Sequence, residues 1–90
     1  MRLDQFLRAS RLVLRRTVAQ ELCEAGAVLV GGAAARSSRA VRAGDEITIR
    51  RRDRWLTVRV LAVPALRQTS KQQAAELYEV VRDERRAESD

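Results

Sequence analysis

Apolar positions along the chain first recur at helical spacing and later alternate. Leu3, Phe6 and Leu7 stand three and four residues apart, so residues 3–10 are expected to form a short first helix. Asp4 falls in its first turn, where a carboxylate meets the positive end of the helix dipole. Ser10-Arg11-Leu12-Val13-Leu14 is a connector that must fold its apolar residues inward. Thr17 and Gln20 have the spacing of a capping box. Val18, Ala19, Leu22 and Cys23 then make one face, and Gly26 is a stop. A second helix is expected over residues 17–25.

After Gly26 the pattern is that of strands. Val28-Leu29-Val30 is a short strand and Gly31-Gly32 a turn; Ala33–Ser38 either pairs back or runs as a loop. Ala43-Gly44-Asp45 is a second turn. Glu46–Arg50 alternates and is a strand, Arg51–Arg54 a charged hairpin connection, and Trp55–Val63 a further strand with Leu56, Val58 and Val60 on one face, ended by Pro64. Residues 65–70 are expected as a linker. Ser70 can cap a helix reaching about Arg85, because Ala74, Leu77, Tyr78 and Val81 lie at i, i+3, i+4 and i+7. That stripe needs apolar cover, expected from the chain's own sheet. Ala87–Asp90 are expected to fray. Helices segregated from an antiparallel sheet make an α+β domain over residues 1–63, with a linker and C-terminal helix over 64–90.

Composition narrows the chemistry. Ninety residues are one domain with a limited core, and only Phe6, Trp55 and Tyr78 are aromatic, so the core is built from aliphatic residues. Cys23 is the one cysteine and histidine is absent. An intrachain disulfide, a cysteine-based metal cage and an imidazole base are thereby excluded. No metal or other cofactor is expected. Asp45 and Glu46 are adjacent on a strand and point to opposite faces, a poor acid–base pair. Gly31-Gly32 lacks the length and the lysine of a phosphate-cradling loop. No nucleophile, base and orienting group can be named together, so no enzyme is expected. Nothing approaches the ~20 apolar residues of a membrane span, and Met1-Arg2-Leu3-Asp4 does not open a secretory signal. A cytoplasmic, reduced protein without a membrane partner is expected.

Charge supplies the positive signal. The net charge is +6, and the only lysine is Lys71, so nearly all the basic residues are arginine, which forks onto phosphate and stacks on bases. A genome rich in G and C accounts for arginine over lysine but not for the excess of positive charge. Residues 1–60 hold 13 arginines against 6 carboxylates; residues 61–90 hold 5 basic residues against 6 acids. The first two thirds are thus the candidate polyanion-binding part. Its densest feature is Arg2, Arg8, Arg11, Arg15 and Arg16, two helices and a connector presenting one basic surface. The competing reading is a solvated helix face. Arg36, Arg39 and Arg42 could extend the surface, whereas Arg50, Arg51, Arg52 and Arg54 suit a hairpin kept soluble by charge. Cys23 is expected in the core, and Trp55 in core or rim packing, with stacking on a base as the alternative.

Arg2-Leu3-Asp4-x-Phe6-Leu7, Arg15-Arg16-Thr17-x-Ala19, Gly26-x-Val28-x-Val30-x-Gly32 and Gly44-Asp45-Glu46-Ile47 occur in an order and spacing that resembles the S4-type RNA-binding domain over residues 2–60. Ser10-Arg11-Leu12-x-x-Arg15-Arg16-Thr17 and Lys71-x-x-Ala74-Ala75-x-Leu77-Tyr78 are similar to the short bacterial members that act in ribosome-associated quality control. The chain lacks the extra aromatics and long basic tail of the related S4-domain heat-shock proteins. The resemblance implies an S4-type fold and an RNA-binding face containing Arg2, Asp4, Arg15 and Arg16. It implies, as partners, 23S rRNA of the large subunit, peptidyl-tRNA held in the peptidyl site, and an alanine-tailing factor. A monomer is expected. Gly31 and Leu14 depart from the pattern, where relatives often have Asn and Lys. The rival readings are a heat-shock-type or ribosome-assembly RNA-binding protein without a tailing role, and an accessory to a separate RNA-modifying enzyme.

Overall fold

The computed structural model describes residues 1–65 and 69–85. The expected fraying of Ala87–Asp90, and residues 66–68 of the expected linker, lie outside them.

Helix α1 runs Leu3–Ala9 and buries Leu3, Phe6 and Leu7 completely. It ends at Ser10, and the next residue, Arg11, takes φ of 60°. That is the position where glycine usually closes a helix in the left-handed region. The bond from Arg11 N–H to the Arg8 carbonyl at 3.0 Å completes the closure. Val13 N–H reaches the Leu7 carbonyl, Val13 is buried and Leu12 packs on the core. The connector therefore folds inward at Leu12 and Val13 but not at Leu14, which remains 75% exposed.

Helix α2 runs Arg16–Glu24 with Arg15 at its N-cap, and no side chain caps it. The capping box expected at Thr17 and Gln20 is therefore not formed. Thr17 lies inside the first turn, and Gln20 is drawn to Asp4 of α1, a long-range hydrogen bond that local spacing does not reveal. Gly26, at φ of 74°, ends the segment as expected.

The strands are β1 (Val28–Val30), β2 (Ala33–Ala34), β3 (Glu46–Arg50), β4 (Arg54–Val60) and β5 (Tyr78–Arg85). They form one antiparallel sheet in the order β2-β1-β3-β4-β5. Gly31 and Gly32 both have positive φ, the backbone a two-residue type I′ hairpin needs, so Ala33–Ala34 pairs back on β1. Val28, Val30, Ile47, Ile49, Val58 and Val60 share the face under α1 and α2 and are buried there. The opposite face carries the Thr48–Thr57 hydroxyl pair and Arg50 over the Trp55 ring. Trp55 thus takes the rim packing that was one of its two expected roles.

The tail departs from expectation. Ser70 caps α3 (Lys71–Ala75), with Gln73 closing the capping box, but the helix stops there. Residues expected to continue it to Arg85 form β5 instead, the edge strand beside β4. Ala74 and Leu77 still turn into the core. Beyond them the β-branched pair Val80-Val81 favours the strand, and acids on β5 meet arginines on β4. The expected cover is met only in part: Ala74 and Leu77 are buried and Tyr78 half-buried, but Val81 stays 41% exposed on a strand that joins the sheet instead of a helix that packs on it. No helix among the described residues is long and apolar enough to cross a membrane.

Candidate nucleic-acid interface

The two helices meet at one buried carboxylate. Asp4 has no exposed surface, yet every oxygen is engaged. Oδ1 accepts from Arg2 Nε at 3.2 Å and from the Gln5 backbone N–H at 2.9 Å. Oδ2 accepts from Arg16 Nε at 3.1 Å and Gln20 Nε2 at 3.0 Å. Burial pushes the Asp4 carboxyl up. The hydrogen bond from Gln20, the bond and charge of Arg16 and the charge of Arg2 outweigh it, and the group settles below its ordinary value. Arg2 and Arg16 are 44% and 41% exposed. One carboxylate thus fixes two guanidiniums and leaves a net positive charge between them. A guanidinium has five N–H donors, and Arg16 gives Asp4 only its Nε, so a fork remains for an outside oxyanion.

The other expected site residues fall into distinct places. Asp4 lies beneath the surface formed by Arg2 and Arg16 and orients them. Arg36 lies close to Arg2, with Ser37 and Ser38, where residues 37–41 lap against the start of α1 through Leu3 N–H to the Arg39 carbonyl and Asp4 N–H to the Ser37 carbonyl. Arg8, Arg15 and Arg36 have no side-chain partner among the described residues. Arg11 donates to the Thr69 carbonyl at 3.1 Å and, with Arg8, lines a notch at the far end of α1. Arg39 turns away, donating to the Ala40 carbonyl and standing 3.7 Å from Asp45. The structure thus gathers Arg2, Asp4, Arg16 and Arg36 at one end of the helical layer and Arg8 and Arg11 at the other, and sets Arg39 apart.

The sheet arginines are differently placed. Arg54 forks onto Asp83 at 2.8 and 2.9 Å. Arg59 reaches Glu79 at 2.7 Å and Glu46 at 3.3 Å. Arg50 donates to the Gly26 carbonyl and lies 5.1 Å over the Trp55 ring. These cations are spent within the protein, whereas in the helical layer only Arg2 and Arg16 have an acid among the described residues, the one they share in Asp4. Burial pushes the Cys23 thiol up, assisted by the charges of Asp4 and Glu24, so it stays protonated in the core.

Gln20, which holds Asp4, is a residue of this cluster that local pattern assigns elsewhere. Gln20 stands one helical turn after Arg16, and that spacing was its available signal. Arg11 allows a prediction. Arg11→Gly should relieve about 1 kcal/mol of left-handed strain, partly offset by the lost bond to Thr69. The melting temperature should hold or rise by a few degrees while RNA affinity falls. Opposite signs in a melt and a binding titration would show that this arginine serves binding rather than folding.

The S4 domain family model matches residues 1–47, from α1 into the start of β3. The chain is 43% identical over 84 residues, 93% of each chain, to the RQC P-site tRNA stabilizing factor of Halalkalibacterium halodurans. It is 39% identical to the factor of that name from Bacillus subtilis, over 98% of this chain and 100% of the other. Among solved structures, heat shock protein 15 of Vibrio cholerae, a trimeric structure, superposes with a TM-score of 0.81 at 30% identity, covering 90% of this chain and 81% of that one. A hypothetical protein with a solution structure gives 0.80 at 32%, covering 93% and 100%. Sharing its helical layer with that model and nearly its full length with those factors, the chain belongs to the S4 domain family, alongside the RQC P-site tRNA stabilizing factors.

Proposed function

We propose that this chain is a non-enzymatic, cytoplasmic RNA-binding factor of ribosome-associated quality control. It binds large ribosomal subunits that still hold peptidyl-tRNA, contacts 23S rRNA with the α1–α2 face, and steadies the tRNA in the peptidyl site. An alanine-tailing factor then works on the nascent chain, and the chain acts as a monomer. The carrying observation is the pair Arg2 and Arg16 locked on buried Asp4, Arg2 by two of its nitrogens and Arg16 by one, so that Arg16 keeps a preset fork for phosphate oxygens. The names of the relatives support the quality-control setting. The residues available to bind are Arg2, Arg8, Arg11, Arg15, Arg16 and Arg36, with Asp4 as positioning residue and Arg39 at the margin. The likeness to heat shock protein 15 favours one second reading, a stalled-subunit binder without a tailing role.

The test is co-sedimentation with large subunits carrying peptidyl-tRNA, paired with titration of an rRNA hairpin over a range of salt. Arg16→Ala is expected to weaken binding about tenfold or more and to lower the log–log salt slope by about one. Changing Arg51 and Arg52 to Ser should cost less. Wild-type sedimentation by Arg16→Ala would reject this face. Normal subunit binding without support of alanine tailing would favour the second reading.

A further inference from the structure

Leu14 is the most exposed large hydrophobic side chain among the described residues. It is not loose. The connector before it is pinned by Arg11 and Val13 to carbonyls of α1, and Arg15 after it stands at the N-cap position of α2. It stands at a notch whose other described walls are Arg8, Arg11 and Thr69, with no carboxylate among the described lining residues. Arg8 has no side-chain partner among the described residues. Arg11 is the one non-glycine described residue with positive φ, and its guanidinium is steadied at the notch by the Thr69 carbonyl. Such a conformation persists only where the surroundings enforce it, and it clusters at binding sites.

An apolar ledge beside two guanidiniums has the polarity of one nucleotide, a base with apolar faces attached to a phosphate. A paired helix keeps its bases stacked and offers mainly phosphates and sugars, whereas an unpaired nucleotide can turn its base outward. Leu14 is followed in the chain by Arg15 and Arg16, which favours RNA over a protein as the occupant of the notch.

We infer that the notch of Arg8, Arg11, Leu14 and Thr69 is a subsite for one unpaired nucleotide of the bound RNA. Leu14 packs on the face of the base, and Arg8 and Arg11 hold its phosphate. The inference rests on the RNA-binding reading and adds a preference for an unpaired position within a largely paired RNA.

Two synthetic RNAs with the same number of phosphates test it: a hairpin carrying 2-aminopurine in its unpaired loop, and a blunt duplex. The wild-type chain is expected to bind the hairpin about tenfold more tightly and to change the 2-aminopurine fluorescence. Leu14→Ala should lose both effects while keeping duplex affinity and its salt slope; Leu14→Met should keep both effects. The exposure of Leu14 means that neither variant threatens the fold. An undiminished preference in Leu14→Ala, or no preference in the wild type, overturns the subsite and leaves the RNA-binding reading standing. Wild-type failure to bind either RNA overturns both. A Leu14→Ala variant that keeps its hairpin preference but loses subunit association also overturns it, and assigns Leu14 to a protein contact.

Discussion

Asp4→Ala is expected to lower the unfolding midpoint by about 10 °C, from a loss of about 2 kcal/mol, and to weaken RNA binding although Asp4 touches no RNA. The carboxylate ties α1 to α2 through Arg16 and Gln20 and holds Arg2 and the Gln5 N–H. Removing one member of a fully buried ion pair costs more, but Arg2 and Arg16 are half-exposed and can turn to water, which limits the loss. The two guanidiniums then repel without a shared anion and leave the preset geometry. Because the carboxyl sits below its ordinary value when folded, its contribution is complete above the unfolded value of about 3.9. It is lost as pH falls through the folded value. The wild type should therefore lose stability in acid more steeply than Asp4→Ala does. Thermal melts across that range check this; equal slopes in the two proteins would show that Asp4 does not link the helices.

Truncation after Ser70 is expected to abolish the native fold. It removes β5, which pairs with β4 along its whole length, together with Ala74 and Leu77 of the core. Burial of Leu77 and partial burial of Tyr78 contribute about 3–5 kcal/mol. With the ladder bonds and the Arg54–Asp83 and Arg59–Glu79 pairs, the loss rivals the entire stability of a domain this small. The remaining β4 edge would be long and apolar on one side, a template for aggregation. Circular dichroism and dispersion of amide signals in a proton–nitrogen spectrum check the outcome. A truncated chain that melts like the whole one would show that β5 adds nothing to the sheet.

The parts of this fold that local pattern makes legible are those that local forces decide. The spacing of Leu3, Phe6 and Leu7 marks α1, the two glycines mark the β1–β2 turn, and Ile47 and Ile49 mark β3. The tail departs from its local pattern for an identifiable reason. The register between β4 and β5 slips at Thr57/Val58, so Val81 is an extra residue in β5. Tyr78 and Val80 lie opposite core residues of β4, but the bulge breaks the two-residue alternation and leaves an apparent helical stripe. At the site, charge density made Arg2, Arg15 and Arg16 visible as candidates. The burial of Asp4 beneath two of them was not visible, because it depends on contacts twelve and sixteen residues away. Nor could composition show which arginines the acids of β5 neutralise.

That neutralisation has a kinetic side. With the β4 arginines paired to acids, and Arg8, Arg11 and Arg15 facing no carboxylate among the described residues, guanidiniums free to meet an anion line α1 and the connector into α2. Near a polyanion such free cations decide which encounters are productive, and those are the ones that arrive with the helices facing it. Orientation is what usually slows the docking of two specific surfaces, and the acids of β5 shorten that search from the far side of the protein without touching the RNA.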